Sequence, residues 1–505
     1  MMVDWCKRKI EQLSGLNDDE EKEKVMGELF VKISHLPSRE LENIACNVDL
    51  GWFFHELTSN NSTYIEEVCK TLNFLFEACE PGDVYKRHSL EMYESLAHPH
   101  SEVKFIVLEE LNKMSNDSDQ VKRLIDDMKL LLRLIETIGD EVLRVGLMAM
   151  DTIKKVGRTP EGINIIYRGD LLRTLARLVA KNDTTTFRVY EVIVDIASSS
   201  EKGLEASVNS GFLTSLLEVL DSPDVLLQLN ALEAMTELAS NEGGLSYLEE
   251  RDVLKKMADK IAKANENPLS NVLIPGLMKF FGYVAKNRPS ETFAKYPAVI
   301  YPLFEIIEGD DFVLLTNALD TLGNIAVMAD GKYALESLGD VMPRMMKRIG
   351  EIIDKLPTEL RLSGLDNLAL IIHVDKSKQD NRILSLTKCW FDMLHCEPLK
   401  LIANLCKQPF PDIKFASMQV LQEVASQEWG QQYIATMPGL IEFLLDRNTE
   451  TFSCCKDIKY KIVKNLGDAT LDIFDSSTLQ RLQLFIREGP FHMYFDTEVA
   501  TESTL

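Results

Sequence analysis

The sequence predicts an all-α fold, a superhelical solenoid of stacked helical repeats, and three observations carry that prediction. An apolar stripe with helical period returns along most of the 505 residues. Its two strongest copies read almost alike: Asn230-Ala231-Leu232 with Met235 and Leu238-Ala239, and Asn317-Ala318-Leu319 with Leu322 and Ile325-Ala326. Gly (25) and Pro (17) are scarce for the length, which argues against a turn-rich β protein. Apolar residues three and then three or four apart mark a helix with one buried face. Weaker copies begin at Leu72, Leu108, Leu147, Tyr190, Met278, Leu365 and Met418. Most spacings fall near the roughly 40–47 residues of armadillo and HEAT repeats. One such unit cannot bury its apolar face alone, whereas a stack shares a continuous core. The expected fold class is therefore an armadillo/HEAT-like α-α superhelical solenoid.

Taken in order, residues 1–60 are expected to form an N-terminal helical cap, with an acidic run at Asp18-Asp19-Glu20-Glu21 and an aromatic cluster at Trp52-Phe53-Phe54. Residues 61–455 hold the repeats. In several, a first helix meets a short break with Gly before a second helix. The breaks are Lys202-Gly203, Asn241-Glu242-Gly243-Gly244, Asp330-Gly331 and Trp429-Gly430. The second helices run over Phe212 to Leu220, Val253 to Ile261, Val341 to Ile349 and Leu440 to Leu445. Glycine there predicts a helix end with positive φ. Asp221-Ser222-Pro223-Asp224, His98-Pro99-His100-Ser101 and Pro411-Asp412 supply N-cap chemistry for first helices. Residues 456–490 are expected to be a C-terminal helical cap and 491–505 a disordered tail.

Composition narrows the function. Hydrophobic residues are 45% and charged residues 27%, enough for a core. The formal charge of −24 disfavours nucleic acid and anionic membrane as partners, since both are polyanions. No apolar run approaches the ~20 residues of a membrane span. Met1 to Ile10 carries Asp4, Lys7, Arg8 and Lys9 in place of a signal peptide's apolar core. Nine cysteines, sparse and odd in number, fit a reducing compartment: the cytoplasm, with the nucleus as an alternative.

No pattern of residues points to catalysis or to a cofactor. Phosphate-loop, dinucleotide and zinc-protease motifs are missing. Cys389, His395, Cys396 and Cys406 lack the paired spacing of structural zinc and read as core packing, as do Cys454-Cys455. His98 and His100 read as a solvated turn, and Glu109-Glu110 as a solvated helix face. The expectation is a non-enzyme without cofactor or metal.

One charge pattern stands out. Three second helices are basic in an acidic chain: Arg173, Arg177 and Lys181; Lys255, Lys256, Lys260 and Lys263; Arg344, Lys347 and Arg348. If second helices line the groove of the stack, Arg173, Arg177, Lys255, Lys256, Arg344 and Lys347 are its partner-binding residues. Ordinary solvated faces explain the same residues, and Glu218, Glu305 and Glu308 on other second helices break the trend.

Several strings resemble a known family. They are Phe187-Arg188-Val189-Tyr190-Glu191, Pro275-Gly276-Leu277-Met278-Lys279-Phe280-Phe281-Gly282, Lys295-Tyr296-Pro297, Gln408-Pro409-Phe410-Pro411, Pro438-Gly439 with Asp446-Arg447, and Glu488-Gly489-Pro490. Their order and spacing, from about residue 70 to 490, resemble the 26S proteasome non-ATPase regulatory subunit 5 family of armadillo-like assembly chaperones. The resemblance implies a chaperone of the regulatory-particle base that holds the C-terminal domain of an ATPase subunit and leaves before the mature particle forms. It implies as partners the ATPases of regulatory subunit 7 type and regulatory subunit 4 type, and the large non-ATPase scaffold subunit. The chain alone is expected to be a monomer. The alternative is an armadillo-type peptide-binding adaptor such as a nuclear-transport receptor. That would favour a ladder of Asn and Trp, but Trp5, Trp52, Trp390 and Trp429 do not recur with the repeat.

Overall fold

The computed structural model describes residues 2–16, 18–262, 272–470 and 472–492. Among these every regular element is a helix, which is the all-α repeat fold expected. Lys263 and the expected tail from residue 493 onward lie outside the described residues. The chain forms two compact units, 1–246 and 247–505.

The first unit opens with α1 (Met2–Ser14), α2 (Asp19–Ser34), α3 (Ser38–Asn47) and α4 (Leu50–Glu56). The acidic run starts α2: the Asp18 carboxylate accepts the Glu21 backbone N–H at 3.2 Å, and Asp19, Glu20 and Glu21 lie at the positive end of the helix dipole. The aromatic run is α4, whose buried Phe54 packs on Phe76 of the next helix at 5.9 Å between ring centres. There follow α5 (Ser62–Glu77), α6 (Asp83–Ser95), α7 (Ser101–Met114), α8 (Ser118–Asp126), α9 (Met128–Thr137), α10 (Leu143–Gly157), α11 (Pro160–Ile166), α12 (Gly169–Val179), α13 (Asp183–Ser199), α14 (Glu201–Asn209), α15 (Phe212–Val219) and α16 (Val225–Leu238). Helix α17 (Glu242–Glu250) reaches the unit boundary.

The second unit holds α18 (Val253–Ala262), α19 (Ile274–Asn287), α20 (Pro289–Lys295), α21 (Pro297–Glu308), α22 (Phe312–Ala326), α23 (Ala329–Glu336), α24 (Val341–Lys355) and α25 (Thr358–Ile372). It continues with α26 (Asn381–Leu394), α27 (Pro398–Cys406), α28 (Pro411–Ala425), α29 (Glu428–Thr436), α30 (Leu440–Leu445), α31 (Ser453–Gly467) and α32 (Ser476–Glu488). One apolar core runs through this unit from Met278 to Phe485.

The repeat has three helices where the sequence suggested two: a long one, a short one and a medium one, as in α22, α23 and α24. The glycine breaks are not helix ends. Gly203, Gly244, Gly331 and Gly430 each occupy the third residue of a short helix, and Gly162 does the same in α11. A Cβ at any of the five would collide with a backbone carbonyl at the end of the preceding long helix: Val156, Ile196, Leu238, Ile325 or Val424. These glycines therefore permit a close backbone approach. The positive-φ glycines lie one connection later: Gly211 (83°) precedes α15 and Gly439 (74°) precedes α30.

Long helices pack on long helices, α7 to α10 to α13 to α16 in the first unit and α19 to α22 to α25 to α28 to α31 in the second. Leu232, Met235, Leu319 and Leu322 are buried as their stripe requires. Medium helices pack as a second layer, α9 on α12 and α18 on α21 on α24. Buried and half-buried arginines join repeats by capping carbonyls that the end of a helix leaves unpaired. Arg188 donates to the carbonyls of Ile138 (2.9 Å) and Asp140 (2.7 Å). Arg348 does the same for Ile307 (3.1 Å) and Gly309 (2.8 Å). At the C-terminal end Arg447 donates to the Gly489 carbonyl (2.6 Å) and pairs with Glu488 (3.1 Å).

Candidate functional site: grooves along the long helices

Because the apolar stripe of each long helix faces its neighbours, the side chains left over form a narrow outward strip. Consecutive strips make grooves. One in the second unit has a volume of about 900 Å3 and lies across α25, α28 and α31. Leu362, Ala369, Phe415 and Ile458 give it apolar surface, with Asp366, Asp412, Glu423 and Asp457 as its acids and His373 and Lys461 as its bases. His373 Nδ1 meets the Glu423 carboxylate at 2.7 Å, which raises the imidazole pKa. Burial and the nearby Asp320 raise that of Asp366. A smaller groove of about 320 Å3 in the same unit carries Lys279, Tyr283, Asn317, Asp320, Asn324 and Asn367.

In the first unit a groove of about 670 Å3 lies across α10, α13 and α16. Leu143, Leu147, Phe187 and Ala234 supply apolar surface, and Asp183, Glu191, Glu233 and Glu237 supply charge. Its one cation, Arg188, is turned to the carbonyls described above.

The six basic residues named from the sequence line none of these grooves. They sit on α12, α18 and α24, in the layer of medium helices, whereas the grooves described above run along the long helices. Arg173 pairs with Asp170 at 2.7 Å, Arg177 donates to the Thr174 hydroxyl at 2.7 Å, and Arg344 pairs with Glu308 at 2.9 Å. Lys255 and Lys347 are exposed and Lys256 is half-buried. The groove residues share helices with the strong repeat stripe. Their signal was the set of positions left three or four residues apart between the buried ones, such as Leu362, Asp366 and Ala369 on α25.

Other sequence readings shift too. Cys406 and Cys455 are buried, whereas Cys389, Cys396 and Cys454 are exposed and do not pack the core. Glu110 is not on a solvated face: it is 2% exposed, 3.7 Å from Lys113, and burial pushes its pKa up to about 7. His98 and His100 are half-buried, with the His100 ring bonded to the Ser62 hydroxyl at 3.0 Å. Lys332, the residue after Gly331, is fully buried. Its ammonium reaches the carbonyls of Ala326 and Leu370, and burial lowers its pKa to about 7. Among the described residues no group of three His, Cys, Asp or Glu could hold a metal ion, and no single helix is long and apolar enough to cross a membrane.

Stacked helical repeats whose grooves display mixed acidic, amide and apolar side chains define a binding scaffold. Comparison with known proteins gives the family. A family model described as proteasome non-ATPase 26S subunit matches residues 2–504, and the chain belongs to that family. It is 30% identical to 26S proteasome non-ATPase regulatory subunit 5 of Homo sapiens, over 91% of this chain and 92% of that one. The protein of the same name from Mus musculus is likewise 30% identical over 91% of this chain and 92% of its own length. The one from Drosophila melanogaster is 30% identical over 67% of this chain and 66% of its own. Among solved structures, yeast importin-beta aligns over 97% of this chain and 68% of its own, with a TM-score of 0.53 and 10% identity, a likeness of fold alone.

Proposed function

We propose that the chain is an assembly chaperone of the 26S proteasome regulatory-particle base and not an enzyme, docking the C-terminal domain of an ATPase subunit on the long-helix face of its second unit. The observation that carries this, beside the family, is the width of that face. Five long helices follow one another from α19 to α31 and carry two grooves. A folded domain needs roughly 800 Å2 on each partner, more than one groove provides. The partners in this reading are ATPases of regulatory subunit 7 and regulatory subunit 4 type, with the large non-ATPase scaffold subunit. The chain is a monomer when free, and works in the cytoplasm or the nucleus. Nine free thiols support a reducing compartment. The six basic residues enter as a separate surface on the medium helices. The adaptor reading gains no tryptophan ladder, since Trp390 and Trp429 are buried in the core.

The test is binding of the isolated ATPase C-terminal domain to the wild type and to Asp412→Lys/Asp457→Lys. Both acids are exposed in the second-unit groove. Reversal should weaken binding at least tenfold without changing the melting temperature. Undiminished binding would remove this face from the site. Affinity purification from cells should recover base ATPases without the proteolytic core. Recovery of none would remove the chaperone role.

A further inference from the structure

The first unit presents a groove that the docking proposal does not use. Its apolar surface is unusual: Leu143 is 59% exposed and Leu147 45%, one helical turn apart on α10. Neither leucine is spent on the core, which is built from Val145, Ala149, Met150 and Ile153 of the same helix. Phe187, half-buried, faces the same groove from α13 and holds Tyr190 edge-on at 5.8 Å.

The charge around this floor is one-sided. Asp183, Glu191, Glu233 and Glu237 line it, and Arg188 is committed to backbone carbonyls. At the groove's end Lys154 pairs with Glu191 at 2.5 Å and Arg158 with Asp195 at 2.6 Å. The lining itself holds four carboxylates and one cation, Arg188. Burial, together with Asp195 and Glu191, raises the Glu237 pKa against the opposing pull of Lys154 and Arg158. An added cation would relieve that crowding.

We propose that the groove of α10, α13 and α16 is a docking site for a basic polypeptide segment of a partner protein, one that carries apolar side chains between its Lys or Arg residues. Exposed leucines reward apolar contact, and the acids select its charge. A second copy of this chain is a poor occupant, because each copy carries −24. Nucleic acid and anionic lipid are repelled for the same reason. The site lies in the first unit, so its failure and that of the second-unit docking reading show separately.

The experiment uses the full chain and three short synthetic peptides with a fluorescent label. One alternates Leu and Arg, one alternates Leu and Glu, and one alternates Ser and Arg. The Leu/Arg peptide should bind at least tenfold more tightly than either control, and more weakly at high salt. Leu143→Ser/Leu147→Ser should lower its affinity at least fivefold. Glu233→Gln/Glu237→Gln, which keeps side-chain shape, should do the same and flatten the salt dependence. The leucines are exposed, so Leu143→Ser/Leu147→Ser should melt with the wild type. A photo-crosslinker on the peptide should label α10, α13 or α16. Equal binding of the Leu/Glu peptide, or labelling confined to residues 247–505, would overturn the proposal. So would unchanged affinity in both variants.

Discussion

Replacing Leu319 by Ala tests the repeat architecture most directly. Leu319 is fully buried in α22, between α19 and α25. The change deletes three carbon groups, which at about 0.8 kcal/mol each is about 2.4 kcal/mol of lost transfer energy. The cavity left behind adds up to roughly another 2.5 kcal/mol if its walls do not close. A total of about 3–5 kcal/mol should therefore fall on the repeats that share this wall. In a stack each repeat contacts mainly its neighbours, so the damage should stay local. Native-state hydrogen exchange with mass spectrometry reads this peptide by peptide. Protection should drop from α19 to α25, residues Ile274 to Ile372, and stay at wild-type level in residues 2–246. Equal loss along the whole chain would show one cooperative globule and refute the reasoning.

Other features carry four shorter predictions. Gly331→Ala places a methyl group against the Ile325 carbonyl, where neither backbone can yield cheaply, and should cost roughly 1–3 kcal/mol. Gly27→Ala in α2, with nothing within 4 Å of the new Cβ, should instead gain about 0.4–1 kcal/mol in the same denaturant titration. The Glu110 carboxyl is raised from 4.5 to about 7, so between those values the folded chain holds a proton the unfolded chain has lost, and this group's contribution to stability falls as pH rises. Glu110→Gln should therefore gain on the wild type by on the order of 1–3 kcal/mol between pH 4.5 and pH 8, and a constant difference across that range would count against it. Lys255→Glu/Lys256→Glu should leave binding of the isolated ATPase domain within about twofold of wild type, since neither lysine lines the two second-unit grooves described above and a surface charge such as that of Lys255 is worth ~0–1 kcal/mol. A loss beyond tenfold would return the medium helices to the site.

The long helices were legible because fourteen or more residues repeat the stripe often enough to be heard, as in α16 and α22. The short helices were not. Helix α23 has eight residues and buries only Gly331, Lys332, Ala334 and Leu335, too few turns for a period. Its glycine then looked like a stop. The strips of the long helices were passed over for a related reason: charge was easiest to see on α12, α18 and α24, beside a strong apolar stripe. The long helices bury most of their circumference, so their open strip is narrow and mixed in chemistry. The strings that carried the family resemblance turn out to be joints in several places. Arg188 caps the end of α9, Gly282 lies against Thr321, and Arg447 meets Gly489.

The glycine seats have a consequence for how such a molecule can vary. At Gly162, Gly203, Gly244, Gly331 and Gly430 main chain rests on main chain, with no side chain to set the spacing. The hinge between a long helix and its short successor is thus cut to one gauge in both units, whatever residues surround it. Substitutions along the outward strips can then re-letter a groove without re-pitching the stack, much as type is reset in an unchanged frame. New partners become accessible by changing the text alone.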